Sequence, residues 1–257
     1  MSKPREQSLA EKVVLVTGAS RGIGRAMALA CASAGAYLVI TYRASREGAE
    51  RVAVAIRAMG RLAEVVQADT SVPEDLDRLG QVARSAFGRV DAWVNNAGAD
   101  ILTGRTAQRS RLEKLDLLLA VDLRGTMLGS WAAVEVMRGQ PGGGTIINMA
   151  WDHVANGMRG EPAQLFAAAK GGVVAFSKSL ARTVAPAIRV NVLGPGWVET
   201  AYGEALDQDV KTRIAGRIPL DRWGTPEDVA HAVVYLASDA AAYVTGQMLM
   251  INGGAVM

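Results

Sequence analysis

The chain has 257 residues, of which 50% are hydrophobic, a formal net charge of +3 and one cysteine, Cys31. This length suits one domain with a large core, and one cysteine excludes an internal disulfide framework and is typical of a reducing compartment. The mild charge is weak evidence for nucleic-acid binding, so no such partner is expected. Residues 1–12 are polar and no later run reaches membrane-spanning length. We therefore expect a cytoplasmic protein without a membrane partner.

Short apolar segments alternate with longer helical patterns along the chain. The apolar segments are nearly continuous and rich in β-branched residues, which is typical of buried parallel strands. They lie at 13–17, 37–42, 63–68, 91–96, 144–149, 188–193 and 248–252. The helical patterns lie at 22–34, 45–59, 74–86, 109–138, 163–184 and 226–237. This alternation predicts one α/β domain over residues 1–257, with a doubly wound parallel sheet of about seven strands.

The longest irregular regions each follow a predicted strand, at about 97–108, 150–162 and 194–215. In an open parallel sheet, the ligand crevice lies off the carboxyl ends of the strands. We therefore expect these three loops to wall one substrate site.

A glycine-rich turn joins the first predicted strand to the first predicted helix. It reads TGASRGIG at residues 17–24 and contains Gly18, Gly22 and Gly24. Glycine lets the backbone turn tightly and approach a pyrophosphate, which then binds at the N-terminus of the helix. An ordinary glycine-rich turn is the alternative, but the position in the first βα turn favours dinucleotide binding.

The end of the second predicted strand indicates which dinucleotide binds. A fold that binds NAD usually presents Asp or Glu there, whereas this chain has Thr41, Tyr42 and Arg43. Arg43 and Arg21 can hold a 2′-phosphate between two guanidinium groups, unless both are solvated surface residues. We predict NADP(H) as the cofactor. Asp69, after the third strand, either accepts a hydrogen bond from the adenine amino group or caps the next helix.

Five motifs in order make the chain similar to the short-chain dehydrogenase/reductase family over nearly its whole length. They read TGASRGIG (17–24), NNAG (95–98), FAAAK (166–170), NVLGPGWVET (191–200) and TGQMLMINGG (245–254). The resemblance implies a single-domain Rossmann fold, a nicotinamide cofactor and a homotetramer or homodimer. The small residues of helix 163–184 suit a subunit interface, because they let two helices approach closely.

The resemblance also implies the cofactor contacts. In the family, the NNAG turn adjoins the adenine ribose, and Pro195, Gly196 and Thr200 match the segment that closes over the nicotinamide. Lys170 matches the lysine that hydrogen-bonds the nicotinamide ribose. The expected cofactor-binding residues are Gly18, Ser20, Arg21, Gly22, Ile23, Gly24, Arg43, Asp69, Asn96, Ala97, Gly98, Lys170, Pro195, Gly196, Val198 and Thr200.

The catalytic residues of the best-known branch of the family are Asn, Ser, Tyr and Lys, and most are missing here. Lys170 is present, but Phe166 stands at the Tyr position and Asp122 at the Asn position. The Ser position falls on Trp151 when counted from the strand, and near His153 when counted back from Phe166. Phenylalanine cannot donate the proton that the tyrosine gives to a carbonyl oxygen.

Our main interpretation is reduction of an activated C=C bond, such as an enoyl or dienoyl thioester, or of a C=N bond. Such bonds depend less on the missing phenol. The site resembles peroxisomal-type 2,4-dienoyl-CoA reductases, which lack the Tyr, keep the Lys and carry Asp at the Asn position. Asp122 would then hold the water that protonates the α-carbon, form a buried ion pair with Lys170, or do both.

Two other interpretations remain open. A carbonyl group, as in a 3-oxoacyl substrate, would be reduced with another acid, His153 or Asp152. Alternatively, the chain binds cofactor and catalyses nothing. The predicted catalytic residues are Lys170, Asp122, His153 and Asp152, and the predicted pocket wall is Phe166, Trp151, Trp197 and Tyr202. The substrate is expected to be a small or thioester-linked molecule, and no metal site is predicted, since no further ligands accompany His153 and Asp152.

Overall fold

The structure is a computed structural model that describes residues 8–257. Its strands form one parallel sheet in the order β3-β2-β1-β4-β5-β6-β7. They are β1 (Val13–Val16), β2 (Tyr37–Tyr42), β3 (Ala63–Gln67), β4 (Ala92–Asn95), β5 (Gly144–Met149), β6 (Ile188–Pro195) and β7 (Met248–Ile251). The predicted Rossmann fold with a seven-stranded parallel sheet is therefore confirmed. The strand order reverses between β1 and β4, where such folds bind their ligands.

The helices follow the predicted pattern with two differences near the sheet's carboxyl edge. The α-helices of the described residues are α1 (Gly22–Ser33), α2 (Arg46–Ala58), α3 (Pro73–Phe87), α4 (Arg111–Leu118), α5 (Gly125–Met137), α6 (Glu161–Val184), α7 (Ala201–Glu204), α8 (Gln208–Ala215) and α9 (Pro226–Ala237). The predicted helix 109–138 is divided by a π-helical turn, Leu119–Arg124. The region 194–215, predicted as irregular, contains α7 and α8, which are too short to give a clear periodic pattern.

Local capping explains where two of these helices begin. Ser110 and Glu113 form a capping box at the start of α4. Thr225 and Asp228 form another at the start of α9, where Pro226 occupies the first turn. Each box satisfies backbone N–H groups that a helix leaves unpaired at its N-terminus.

Alternate residues of the strands enter two separate hydrophobic cores. Val14 and Val16 of β1 pack in one core with α1, α2 and α9. Leu15, between them, packs in the other core with α3, α5 and α6. Because both faces of the sheet are covered by helices, its strands read as continuous apolar runs.

A buried polar network joins the two strands that lead into the site. Asn95 of β4 and Asn148 of β5 lie opposite each other in register. Asn95 Nδ2 donates to Asn148 Oδ1 at 2.8 Å, and Asn148 Nδ2 donates to Ser177 Oγ on α6 at 2.9 Å. Trp93 Nε1 donates to Asn95 Oδ1 at 2.9 Å. These bonds fix β4, β5 and α6 relative to one another, since a buried polar group requires a partner.

The stretch Arg111–Met137 is long and apolar enough to cross a membrane by length and composition alone. It has 27 residues and a mean hydropathy of 1.3 in its most apolar window. The expectation that no run reaches such a length is therefore wrong for this helical stretch. In the fold, 56% of that window is buried, as in a core helix, so the stretch is weak evidence for a membrane span.

Candidate active site

The glycine-rich turn after β1 leaves the N-terminus of α1 open. Gly18 and Gly22 have φ values of +66° and +54°, which favour glycine. A Cβ at Gly24 would lie 2.4 Å from the Gly18 carbonyl oxygen, whereas a Cβ at Gly22 would meet no described atom within 4 Å. No described side chain caps α1, whose N-cap residue is Arg21. The first amide groups of α1 are therefore available to an anion.

The NNAG turn after β4 is hydrogen-bonded to the glycine-rich turn. Thr17 Oγ1 accepts the amide hydrogens of Asn96 and Ala97, each at 3.0 Å. Asn96 Nδ2 donates to the Thr17 carbonyl oxygen at 2.8 Å. Ser20 and Ile23 lie half-buried in the glycine-rich turn. The structure thus brings the two predicted cofactor turns together through Thr17, a residue that sequence reasoning missed although it directly precedes Gly18.

Arg21 and Arg43 are exposed and follow β1 and β2, which are neighbours in the sheet. Within residues 8–257, neither guanidinium group has an acidic partner. Thr41, near the position where an NAD-binding fold has its acid, is buried, and its hydroxyl oxygen accepts the Gly18 amide hydrogen at 3.1 Å. This end of the site therefore presents free positive charge and no carboxylate from β2.

Asp69 follows β3 and stabilises a turn. Its Oδ1 accepts from the amide and the hydroxyl of Ser71 at 2.9 and 2.7 Å. Its own amide donates to Asp75 Oδ2 at 2.8 Å, and this bond lowers the pKa of the Asp75 carboxyl. The helix begins with Val72 as N-cap residue. The interpretation of Asp69 as a helix cap is therefore wrong.

Lys170 and Asp122 form a buried ion pair, one of the two roles predicted for Asp122. Lys170 Nζ lies 2.8 Å from Asp122 Oδ2, and their side chains are 9% and 2% exposed. Lys170 Nζ also donates to the Met149 carbonyl oxygen at 3.1 Å. Asp122 Oδ1 accepts the Ala99 amide hydrogen at 2.8 Å. Asp122 lies in the π-helical turn, a distortion that often occurs at functional sites.

Three rings line the end of β5 beside this ion pair. Phe166 lies one helical turn before Lys170 on α6, and its ring centroid is 6.3 Å from that of Trp151. Trp151 stacks on His153, with ring centroids 5.0 Å apart and planes inclined by 23°. The structure therefore places both candidates for the Ser position, Trp151 and His153, against each other.

His153 is held by a buried carboxylate. Its Nδ1 lies 2.7 Å from Asp152 Oδ1, and the Asp152 side chain is 0% exposed. An ionised carboxylate only accepts hydrogen bonds, so we assign the hydrogen to Nδ1. Nε2 has no hydrogen-bond partner among residues 8–257 and is not buried. The two predicted acids thus differ in access, because the His153 side chain is 17% exposed and that of Asp152 is 0% exposed.

The segment after β6 packs against the last strand. Pro195 pairs with Ile251, and the Gly196 amide donates to the Ile251 carbonyl oxygen at 3.1 Å. Val198 is buried, and Thr200 is the N-cap residue of α7. These four predicted cofactor residues therefore begin the loop that lies beside the end of β5.

A second group of rings lies on this loop. Trp197 lies 6.4 Å from Tyr202 and 5.3 Å from Trp223 by ring centroids. Trp223, which donates through Nε1 to the Lys211 carbonyl oxygen at 3.1 Å, was not predicted as part of the wall. It lies far along the chain from Trp197, and no local pattern indicates that they meet. The described residues contain no group of three or more His, Cys, Asp or Glu suited to a metal ion.

The whole chain is similar to known proteins. Residues 18–256 match a family model described as enoyl-(acyl carrier protein) reductase. The chain is 40% identical over 253 residues to a 3-oxoacyl-[acyl-carrier-protein] reductase of Synechocystis sp., covering 97% of this chain and 99% of that relative. It is 38% identical to 3beta-hydroxysteroid dehydrogenase 1 of Eggerthella lenta, covering 95% of this chain and 93% of that relative. The chain belongs to the short-chain dehydrogenase/reductase family.

Solved structures of short-chain dehydrogenases/reductases have the same fold. An enzyme of this family from Serratia marcescens matches with a TM-score of 0.87 at 34% identity, covering 96% of this chain and 98% of that one. The family predicted from five motifs is confirmed, and the protein is an oxidoreductase of that family. The relatives named here do not support the narrower resemblance to 2,4-dienoyl-CoA reductases, since their names describe 3-oxoacyl reduction and hydroxysteroid dehydrogenation.

Proposed function

We propose that the protein is an NADP(H)-dependent reductase of a carbonyl group, in which His153 supplies the proton that a tyrosine supplies elsewhere in the family. The observation that carries this proposal is the contact between Asp152 Oδ1 and His153 Nδ1 at 2.7 Å, which leaves Nε2 free. A buried carboxylate bound to Nδ1 in this way orients the imidazole, so that Nε2 can exchange a proton with a substrate. The names of the 3-oxoacyl reductase and steroid dehydrogenase relatives favour the same bond type.

The glycine-rich turn fits the phosphates of the cofactor. Open space beside Gly22 and the uncapped amides of α1 suit a pyrophosphate. Arg21 and Arg43, without acidic partners in the described chain, suit the 2′-phosphate that distinguishes NADPH from NADH. NADPH, when bound, supplies the hydride for the carbonyl carbon. We also propose that the other residues implied by the family resemblance, from Asn96 to Thr200, contact the cofactor.

Lys170 would orient the ribose next to the nicotinamide. Two of its three ammonium hydrogens are directed to Asp122 Oδ2 and to the Met149 carbonyl oxygen. The third remains for a ribose hydroxyl. Asp122 thus holds Lys170 in place and also fixes the loop after β4 through the Ala99 amide.

His153 would complete the reaction on the oxygen side. When the carbonyl carbon gained hydride, negative charge would develop on the carbonyl oxygen. An imidazolium at His153, with hydrogens on both ring nitrogens, would then give the Nε2 proton to that oxygen. The products are the alcohol and a neutral imidazole. Solvent would then return a proton to Nε2, since the His153 side chain is 17% exposed. Asp152 would keep the ring in one orientation.

Reduction of a C=C or C=N bond is the second candidate. Phe166 has no hydroxyl, Asp122 replaces the usual Asn, and the matched family model is described as an enoyl reductase. In this candidate, a water held by Asp122 protonates carbon. The burial of Asp122 weighs against it, because the side chain is 2% exposed and already contacts Ala99 and Lys170.

Subunit assembly is part of the proposal. We expect a cytoplasmic homotetramer, or failing that a homodimer, in which α5 and α6 face a second copy. Trp131 on α5 is 47% exposed and contacts Phe176 on α6 edge-on, with ring centroids 5.9 Å apart. Light scattering at micromolar protein concentration measures the number of subunits, and a monomer would contradict the proposed assembly.

A substrate panel tests the bond type. NADPH oxidation is measured with ketones, 3-oxoacyl, enoyl and dienoyl thioesters and cyclic imines, at saturating NADPH. The proposal expects fast turnover of at least one ketone or 3-oxoacyl compound. Turnover of only C=C or C=N compounds would replace it with the second candidate, in which deuterium from D₂O appears on the carbon next to the hydride acceptor. Tight NADPH binding without turnover would identify a homologue that catalyses nothing.

A further inference from the structure

Asn252, just after β7, contacts the buried Asp152 from the C-terminal segment. Its Nδ2 lies 3.3 Å from Asp152 Oδ2 and 2.9 Å from the Val256 carbonyl oxygen. Its Oδ1 accepts the Gly254 amide hydrogen at 3.0 Å. Because the Gly254 amide can only donate, these contacts also determine which side of the amide carries the nitrogen. The NH₂ group therefore faces Asp152.

Asn252 provides Asp152 Oδ2 with its hydrogen-bond donor. The other oxygen, Oδ1, is occupied by His153 Nδ1, and the described chain offers Asp152 no third donor. A fully buried carboxylate oxygen without a donor is unfavourable, so loss of Asn252 would favour rotation or protonation of Asp152. Either change would release His153.

Asp152 and Asn252 pack closely against the backbone of Gly196. A Cβ at Gly196 would lie 2.7 Å from Asn252 Cβ and 2.9 Å from Asp152 Oδ2. The two polar side chains thus meet directly beneath the backbone of the loop after β6, at a position that only glycine allows. The contact of Asp152 with Gly196 and Asn252 therefore joins the segments that follow β5, β6 and β7. The segment after β6 is the loop proposed to close over the cofactor.

We propose that Asn252 is a positioning residue for His153. It fixes the Asp152 carboxylate, which in turn keeps the neutral imidazole protonated at Nδ1 and leaves Nε2 free toward the substrate. We call Asn252, Asp152 and His153 the orienting triad. Its role in catalysis rests on the proposed carbonyl reduction, whereas its effect on the tautomer of His153 does not.

The tautomer of His153 is measured by ¹⁵N NMR without substrate. The chain has two histidines, so His231→Gln leaves the His153 signals alone in the spectrum. At a pH where the imidazole is neutral, we expect hydrogen on Nδ1 and a bare Nε2. Asn252→Asp keeps the size of the side chain and its acceptor but removes the donor to Asp152, and we expect a mixture of both tautomers. Gln247→Glu, the same charge change at an exposed position of the same segment, should keep the original tautomer.

Kinetics separate a positioning role from a structural one. We expect Asn252→Asp to lower kcat for carbonyl reduction about tenfold, less than the 10²–10⁴-fold typical of an acid itself, with KM for NADPH unchanged. A neutral His153 that carries its hydrogen on Nε2 in the unaltered triad would overturn the proposal, whether or not the variant folds. An unchanged tautomer in Asn252→Asp or in Asn252→Ala, which has no side-chain donor, would also overturn it. If no carbonyl is reduced, the NMR result still decides the triad independently.

Discussion

The Lys170 ammonium lies 2.8 Å from the Asp122 carboxylate, and both side chains are almost fully buried. The pair joins α6 to the π-helical turn between α4 and α5. Burial of two charges is costly, and their attraction offsets that cost only when the geometry and the remaining hydrogen bonds are good. Here the Met149 carbonyl and the Ala99 amide supply those bonds. The pair therefore fixes the position of Lys170 at the end of β5.

Removing one member of this pair should destabilise the fold. We expect Asp122→Ala to lower the free energy of unfolding by about 3–5 kcal/mol, because a buried ammonium loses its partner. Urea unfolding measures the loss, and adding Lys170→Met should recover part of it. Glu47→Ala, which removes an exposed partner of Arg51, is the control and should cost less than about 1 kcal/mol. Equal effects of both alanine variants would show that the buried pair is unimportant for stability.

Cofactor choice should depend on Arg43. We expect NADPH to bind at least about tenfold more tightly than NADH, a difference of about 1.4 kcal/mol. Arg43→Ala should erase most of this difference, because a guanidinium group binds the 2′-phosphate by charge-assisted hydrogen bonds. Fluorescence titration measures both affinities. Arg46→Ala, an exposed arginine that begins α2, should preserve the preference, and equal affinities in the unaltered protein would contradict the assignment.

Restoring a phenol at position 166 should not accelerate the reaction. If His153 already donates the proton, Phe166→Tyr adds a second donor that does not limit turnover, so kcat for the best substrate should not rise. In a His153→Gln background, the same change should restore some activity, because the new hydroxyl lies one helical turn from Lys170. A large increase in kcat from Phe166→Tyr alone would mean that the protein lacks a working acid.

The start of α9 should contribute to acid sensitivity. The Arg222 side chain, followed by the Thr225 amide, lowers the pKa of Asp228 from 3.8 to about 2. Because the folded-state pKa is the lower one, this stabilisation is present above about pH 4 and is lost as pH falls toward 2. Asp228→Asn should therefore destabilise the protein at pH 6 and have little effect near pH 2. Unfolding curves at both pH values check this, and an equal loss at both would contradict it.

The fold was predictable because its signals are local. Continuous apolar strands such as 13–17 and the glycine-rich turn determine the order of elements, and short sequence motifs determine the family. The short helices α7 and α8 were not predictable, since few residues give no clear period. The π-helical turn was also missed, because its sequence continues an ordinary helical pattern and the turn depends on tertiary contacts such as that of Asp122 with Lys170.

The candidate site was only partly predictable, because its contacts join residues that are far apart in the sequence. Lys170 and Asp122 could be paired through the family resemblance, but the burial of Asp152 could not be predicted from a loop sequence. Its partner Asn252 lies 100 residues away along the chain. Thr17 and Trp223 were missed because each contacts a loop that is remote from it along the chain. Sequence reasoning therefore named His153 and Asp152 as candidate acids, but it indicated neither the contact between them nor the role of Asn252.

The rate of carbonyl reduction by His153→Gln tests the account most directly. Glutamine keeps a polar side chain but cannot give up a proton as an imidazolium does, so we expect kcat to fall by about 10²–10⁴-fold. NADPH affinity, measured by fluorescence in the same samples, should remain unchanged because His153 is not among the cofactor residues. A His153→Gln enzyme that reduces the same carbonyl substrate at the original rate would contradict the proposal that His153 is the proton donor.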